Sequence, residues 1–106
     1  MPRIDKMLKK VKELGASDLH MTTGEHPRYR VHGHLDPDKT HPVLDDLTMR
    51  EYLFGILEPR HRETWDRTHD LDFAYGLEGI ARFRCNYFQD NGGMGAVFRQ
   101  IPARIV

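Results

Sequence analysis

The residues best placed to do chemistry here are three arginines, Arg82, Arg84 and Arg99, carried by two stretches of alternating character around Asn91-Gly92. Asn-Gly between alternating segments predicts a β-hairpin with a two-residue type I′ turn, whose central residues both need positive φ. That turn sets Asp90 opposite Gly93, Phe88 opposite Gly95, Asn86 opposite Val97 and Arg84 opposite Arg99, with Arg82 further along the same face. Like charges directly opposite on a sheet cost stability unless an anion lies between them. Paired guanidiniums suit a phosphate, which each can hold through directional, often bidentate, charge-assisted hydrogen bonds. Asp70 and Asp72, two apart on another alternating segment, are the competing partners for these arginines. The same two carboxylates also have the form of a general acid/base pair.

Other reactive side chains are fewer. His32 and His34 read as sharing a strand face near His20, but no Cys partner and no HExxH helix accompanies them, so solvated strand histidines are the expected outcome and no metal site is assigned. Cys85 falls among Phe83 and Tyr87 on the hairpin's apolar face and reads as a small buried hydrophobe. A lone thiol forms no internal disulfide, which fits a reducing compartment.

Placing these residues requires one ordinary domain: 106 residues, 39% hydrophobic, suffice for a single core. Sixteen basic and sixteen acidic residues cancel, so total charge supplies no general pull toward nucleic acid or an anionic membrane. The charge is instead polarised, with Arg3, Lys6, Lys9, Lys10 and Lys12 against Asp5 near the N-terminus, and ten acids against five bases over 36–72. Neither a membrane-spanning run nor a signal peptide is recognisable, and a cytosolic protein is expected.

Ile4, Met7, Leu8, Val11 and Leu14 predict an amphipathic helix over 4–14, stopped by Gly15. A short strand follows at 16–21 with Leu19 and Met21 inward and Asp18 and His20 outward, and a second hairpin is expected around 28–35. Thr48-Met49-Arg50-Glu51 has capping-box form and predicts a helix over about 48–57. Pro59 opens a third helix anchored by Trp65. Leu71, Phe73 and Tyr75 then face inward on a strand that leads through Gly76 to Gly79 into the hairpin. The expected fold is α+β: an antiparallel sheet with helices packed on one face. Residues 1–100 form the domain, and Ile101-Pro102-Ala103-Arg104-Ile105-Val106 reads as the start of a linker.

Four segments, in order, resemble the N-terminal domain of the type IV pilus motor ATPases, in particular the PilT twitching-motility branch, relatives of the type II secretion ATPases. They are Gly15-Ala16-Ser17-Asp18-Leu19-His20; Pro27 with Arg30-Val31-His32-Gly33; Leu71-Asp72-Phe73; and Ala81-Arg82-Phe83-Arg84 through Gly95-Ala96-Val97-Phe98-Arg99 with Ile101-Pro102. The resemblance implies a PAS-like domain joined by a short linker to a RecA-like ATPase domain, in a homo-hexamer at the inner-membrane pilus platform. It implies that Arg84 and Arg99, with Arg82 as a possible third contact, reach the γ-phosphate of ATP, bound with Mg, when the two domains of the same or neighbouring subunits close. The isolated domain is not expected to hold nucleotide tightly. Many relatives have Arg at the position of Gly92. No GxxxxGK[ST] loop is present in this sequence, so hydrolysis is expected of the parent protein and not of this chain.

Two other classes compete. A free-standing small-ligand sensor or protein-interaction module could use Phe73, Tyr75, Phe83, Tyr87 and Phe98 to line a pocket. Single-strand nucleic-acid binding through Arg82-Phe83-Arg84 is opposed by the alternation, which puts arginines and aromatics on opposite faces, and no nucleic-acid partner is expected.

Overall fold

The computed structural model describes residues 2–102. Three helices, α1 (Ile4–Leu14), α2 (Asp46–Phe54) and α3 (Pro59–Thr68), accompany six strands, β1 (Asp18–Thr22), β2 (Arg28–Val31), β3 (His34–Pro37), β4 (Asp70–Leu77), β5 (Ala81–Asp90) and β6 (Gly93–Ile101). The strands form one antiparallel sheet in the order β3-β2-β1-β6-β5-β4, so the first and last strands lie side by side at its centre. This is the α+β, PAS-like architecture anticipated, with helices packed against one face. Of the segment read as a linker, Ile101 belongs to β6 and residues 103–106 lie outside the described residues.

Alternation decides which face is buried. Leu19, Met21, Phe83, Cys85, Tyr87, Met94, Ala96 and Phe98 point to the helical side and meet Ile4, Leu8, Val11, Met49, Leu53 and Trp65 in a single core. The α1 stripe is apolar at the spacing that faces a sheet, and Gly15 ends it in the left-handed region (φ 68°), where a side chain would be strained. Tyr87 is the hub. Its ring meets Phe73, Phe98 and Trp65 edge-on, with centroids 5.1, 5.9 and 6.4 Å away. Its hydroxyl donates 2.8 Å to the carbonyl of Leu53, one of the last carbonyls of α2, which has no partner within the helix. The core aromatics thus pack on one another. Two clefts at the surface, one along α1 and one beside the β4–β5 turn, do not include Phe73, Phe83, Tyr87 or Phe98 in their walls.

Several local expectations are corrected. Neither Asn91 nor Gly92 takes positive φ; Gly93 does, at 129°. The Asp90 carboxylate accepts from the amides of Gly92 and Gly93 at 2.8 and 3.1 Å, so a side chain closes the turn and the strain moves to the following glycine. The positive-φ pair belongs to His32 (50°) and Gly33 (80°), which join β2 to β3 in the manner of a type I′ turn. His32 is therefore a turn residue and does not share a strand face with His34. Helix α2 starts earlier than Thr48 because Asp45 is its cap, the carboxylate accepting from the Thr48 amide at 2.7 Å. At α3 the proline stands at the first turn as expected, after Glu58.

Helix α1 is tied to the β2–β3 hairpin by Lys10, whose ammonium lies 2.7 Å from the Asp38 carboxylate. Hydrogen bonds from Lys10 and Thr40 hold that carboxyl down, at about 2. A carboxyl depressed on folding stabilises the fold above its unfolded pKa and loses that contribution as pH falls through the folded value. Because the Lys10 side chain is 39% exposed, water screens the pair, and we expect it to contribute about 1 kcal/mol. Urea unfolding of Asp38→Asn should therefore fall below wild type at pH 6 and converge with it near pH 2; a gap that persists in acid would contradict this.

Candidate phosphate-facing surface

The face of the sheet away from the helices carries the arginines. Pairing of β5 with β6 puts Arg84 opposite Arg99, Asn86 opposite Val97 and Phe88 opposite Gly95, the register anticipated from sequence. The row through the arginines runs across the whole sheet as Leu35, Arg30, Asp18, Arg99, Arg84 and Ala74. The row beside it runs Pro37, Arg28, His20, Val97, Asn86 and Asp72.

Arg84 and Arg99 are both exposed. The Arg84 guanidinium reaches Asp72 at 3.4 Å, a long contact between two water-exposed side chains, so Asp72 holds it weakly and releases it at little cost. No carboxylate pairs with Arg99 among the described residues. Arg82 lies on the same face, its guanidinium folded across Gly76, where a β-carbon would come within 3.1 Å of it. A glycine at that point of β4 is what lets Arg82 lie flat toward the sheet edge. The three arginines named from sequence are thus together on one exposed face. Asp70, the other proposed acid, forms no ion pair with them.

Sequence reasoning missed the depth of Asp18. Read as outward, it does lie on the outer face, yet it is only 2% exposed. Ser17 Oγ donates to Oδ1 at 2.5 Å, His20 Nε2 bonds Oδ2, and Arg30 Nε lies 3.5 Å from Oδ2. Burial alone would raise this carboxyl; the hydrogen bonds from Ser17 and His20 and the charges of His20 and Arg30 outweigh it and hold Asp18 below the ordinary carboxylate range. The signal was the close sequence of Ser17, Asp18 and His20, a hydroxyl and an imidazole either side of an acid.

Cys85 is fully buried, and burial pushes its thiol up to about 12, leaving it unreactive at neutral pH. His20, His32 and His34 do not converge, and no group of three or more His, Cys, Asp or Glu among the described residues is placed to hold a metal ion. No helix among them is long and apolar enough to cross a membrane.

No protein-family model matches the chain. It is 36% identical over 92 residues to the type IV pilus retraction ATPase PilT of Pseudomonas aeruginosa, covering 87% of the chain and 26% of that protein. To the type IV pilus ATPase PilU of the same organism it is 33% identical over 101 residues, 95% of the chain and 26% of PilU. The chain therefore spans about a quarter of the length of these relatives. Its fold superposes on the crystal structure of the pilus retraction motor PilT with bound ADP at a TM-score of 0.86 and 33% identity, over 95% of the chain and 29% of that structure. The Legionella pneumophila ATPase DotB follows at 0.78 and 26% identity, over 94% and 28%. By sequence and by fold, this chain belongs to the PilT-type branch of the type II/IV secretion ATPases and corresponds to their N-terminal domain.

Proposed function

We propose that this domain is the regulatory and assembly part of a hexameric, cytoplasmic ATPase that retracts type IV pili, and that its outer sheet face closes on the nucleotide held by a RecA-like motor domain of the same or a neighbouring subunit. One observation carries the reading: Arg84 and Arg99 stand opposite each other, exposed, with Arg99 unpaired by any described acid. A pair so placed is electrostatically unfavourable until an anion arrives, and the solved PilT structure it resembles holds ADP.

The residues fit a nucleotide phosphate. Arg99 has no side-chain partner among the described residues, Arg84 has only a long, water-exposed bond to exchange, and Arg82 lies on the same face. What ATP with Mg would supply is the phosphoanhydride to be cleaved. The domain's own part is to bring two positive charges from outside, neutralise phosphate oxygens, and exclude water as the face closes. Gly92, Gly93 and Gly95 lie in a hairpin turn and strand and have no part in a phosphate loop; that loop would come from the motor domain, reached through the segment beyond β6. Movement follows if closing favours the triphosphate and opening follows its cleavage, with the pilus platform at the inner membrane receiving the motion.

The test is ATP turnover by the full-length protein carrying Arg84→Ala or Arg99→Ala. Both variants should lose turnover while the domain stays folded; unchanged turnover in both overturns the reading.

A further inference from the structure

Asp18 poses a problem for an open Arg99. The two are cross-strand partners on one face, the acid between Arg30 on β2 and Arg99 on β6, and a carboxylate beside a guanidinium ordinarily captures it. Yet Asp18 bonds Arg30 and leaves Arg99 without a carboxylate among the described residues. The reason lies in what else holds it. An ionised carboxylate offers about four lone-pair directions; hydrogen bonds from Ser17 Oγ and His20 Nε2 take one on each oxygen, and Arg30 Nε adds an ion-pair contact at 3.5 Å. Ser17 pulls from within the chain and His20 from two residues on, along the strand, so the carboxylate is fixed close to β1 and is almost wholly covered. The His20 side chain is 20% exposed, so its imidazole forms part of the cover over Asp18.

We infer that His20 and Ser17 are positioning residues that keep Asp18 engaged and so hold Arg99 open for an anion. The inference rests on the reading of Arg99 as a phosphate ligand and adds the device that keeps it available. Remove the imidazole, and a buried carboxylate is short of a donor; the nearest guanidinium not already committed is Arg99, which turns inward to satisfy it. The arginine then has a partner before the phosphate arrives, and binding must break that pair first.

The experiment measures the affinity of a non-hydrolysable ATP analogue for the full-length protein. His20→Ala should weaken it about fivefold to tenfold, within the range expected when binding must first break one ordinary, water-exposed hydrogen bond. His20→Gln, whose amide can donate to Asp18, should stay near wild type. Most tellingly, Asp18→Asn added to His20→Ala should restore affinity, because a neutral amide has no charge with which to capture Arg99. In parallel, the Arg99 Nε–H in the 106-residue chain should become ordered by NMR relaxation in His20→Ala and mobile again in the double variant. If His20→Ala does not fold, Ser17→Ala carries the same expectation. Wild-type affinity in the single variant, or a loss that Asp18→Asn does not rescue, overturns the inference while leaving Arg99 as a ligand. An Arg99→Ala control that binds the analogue as well as wild type overturns both.

Discussion

Full-length protein carrying Arg99→Ala should hydrolyse ATP about a hundredfold more slowly than wild type, the effect of removing one preorganised donor from a phosphate or oxyanion site. Arginine fingers in other phosphoryl-transfer enzymes carry still more. Arg84→Ala should lose turnover in the same direction by a smaller factor, because Arg84 shares its guanidinium with Asp72 at 3.4 Å while Arg99 has no such competitor among the described residues. Stability should not follow activity. Both side chains are exposed, and each truncation removes one of two facing positive charges, so the isolated domain should keep its unfolding free energy within about 0.5 kcal/mol. Parallel loss of stability and turnover would mean that the arginines are structural. Lysine at either position keeps the charge but lacks the fork that grips two phosphate oxygens, and should recover only part of the rate.

The opposite pattern is expected on the other face of the same strand. Tyr87→Ala should destabilise the domain by about 5 kcal/mol, combining the cavity left by a large aromatic with a Leu53 carbonyl stripped of its donor. Against a total of roughly 5 to 15 kcal/mol for a domain of this kind, that leaves the chain at or beyond the edge of folding. Tyr87→Phe keeps the contacts with Phe73, Phe98 and Trp65 and loses only the cap on α2, so about 1 to 2 kcal/mol is expected. Urea unfolding of the two variants separates the contributions. Equal losses would assign the effect to the hydroxyl alone, and a loss below about 2 kcal/mol in Tyr87→Ala would show that the hub can be repacked.

These two residues show why part of the molecule could be read in advance. Strand periodicity of two is strict, so Arg84 and Tyr87 fall on opposite faces however the ends of the hairpin are drawn, and the alternating run from Ala81 to Arg99 leaves one register that buries Phe83, Cys85 and Tyr87 together. Helix α1 was legible for the same reason, since a periodic stripe over several turns outweighs local detail, whereas α3 was legible from Pro59 in its first turn and Trp65, its one buried residue. What periodicity cannot convey is depth. Asp18 has outward parity, but Ser17, His20 and Arg30 close over it, and that depends on which strands become neighbours. Turn and cap chemistry failed where a carboxylate not considered for the role took the free amides. Asp90 overrode the preference of Asn91-Gly92, and Asp45 capped α2 ahead of Thr48, since in each case a carboxylate reaches free backbone amides. The arginine row was half visible: Arg84 with Arg99 followed from one hairpin, whereas its extension through Asp18 to Arg30 needed the central β1–β6 pairing, which links the two ends of the chain.

The central claim is that Arg84 and Arg99 meet the terminal phosphate of ATP, and the difference between ATP and ADP isolates that phosphate. Equilibrium affinities of a non-hydrolysable ATP analogue and of ADP should be measured for full-length wild type and for Arg84→Ala/Arg99→Ala. The double variant should lose at least about tenfold of its preference for the triphosphate, with ADP affinity unchanged, as expected when two charge-assisted contacts to one group are removed. Equal losses for both nucleotides, or none for either, would contradict it.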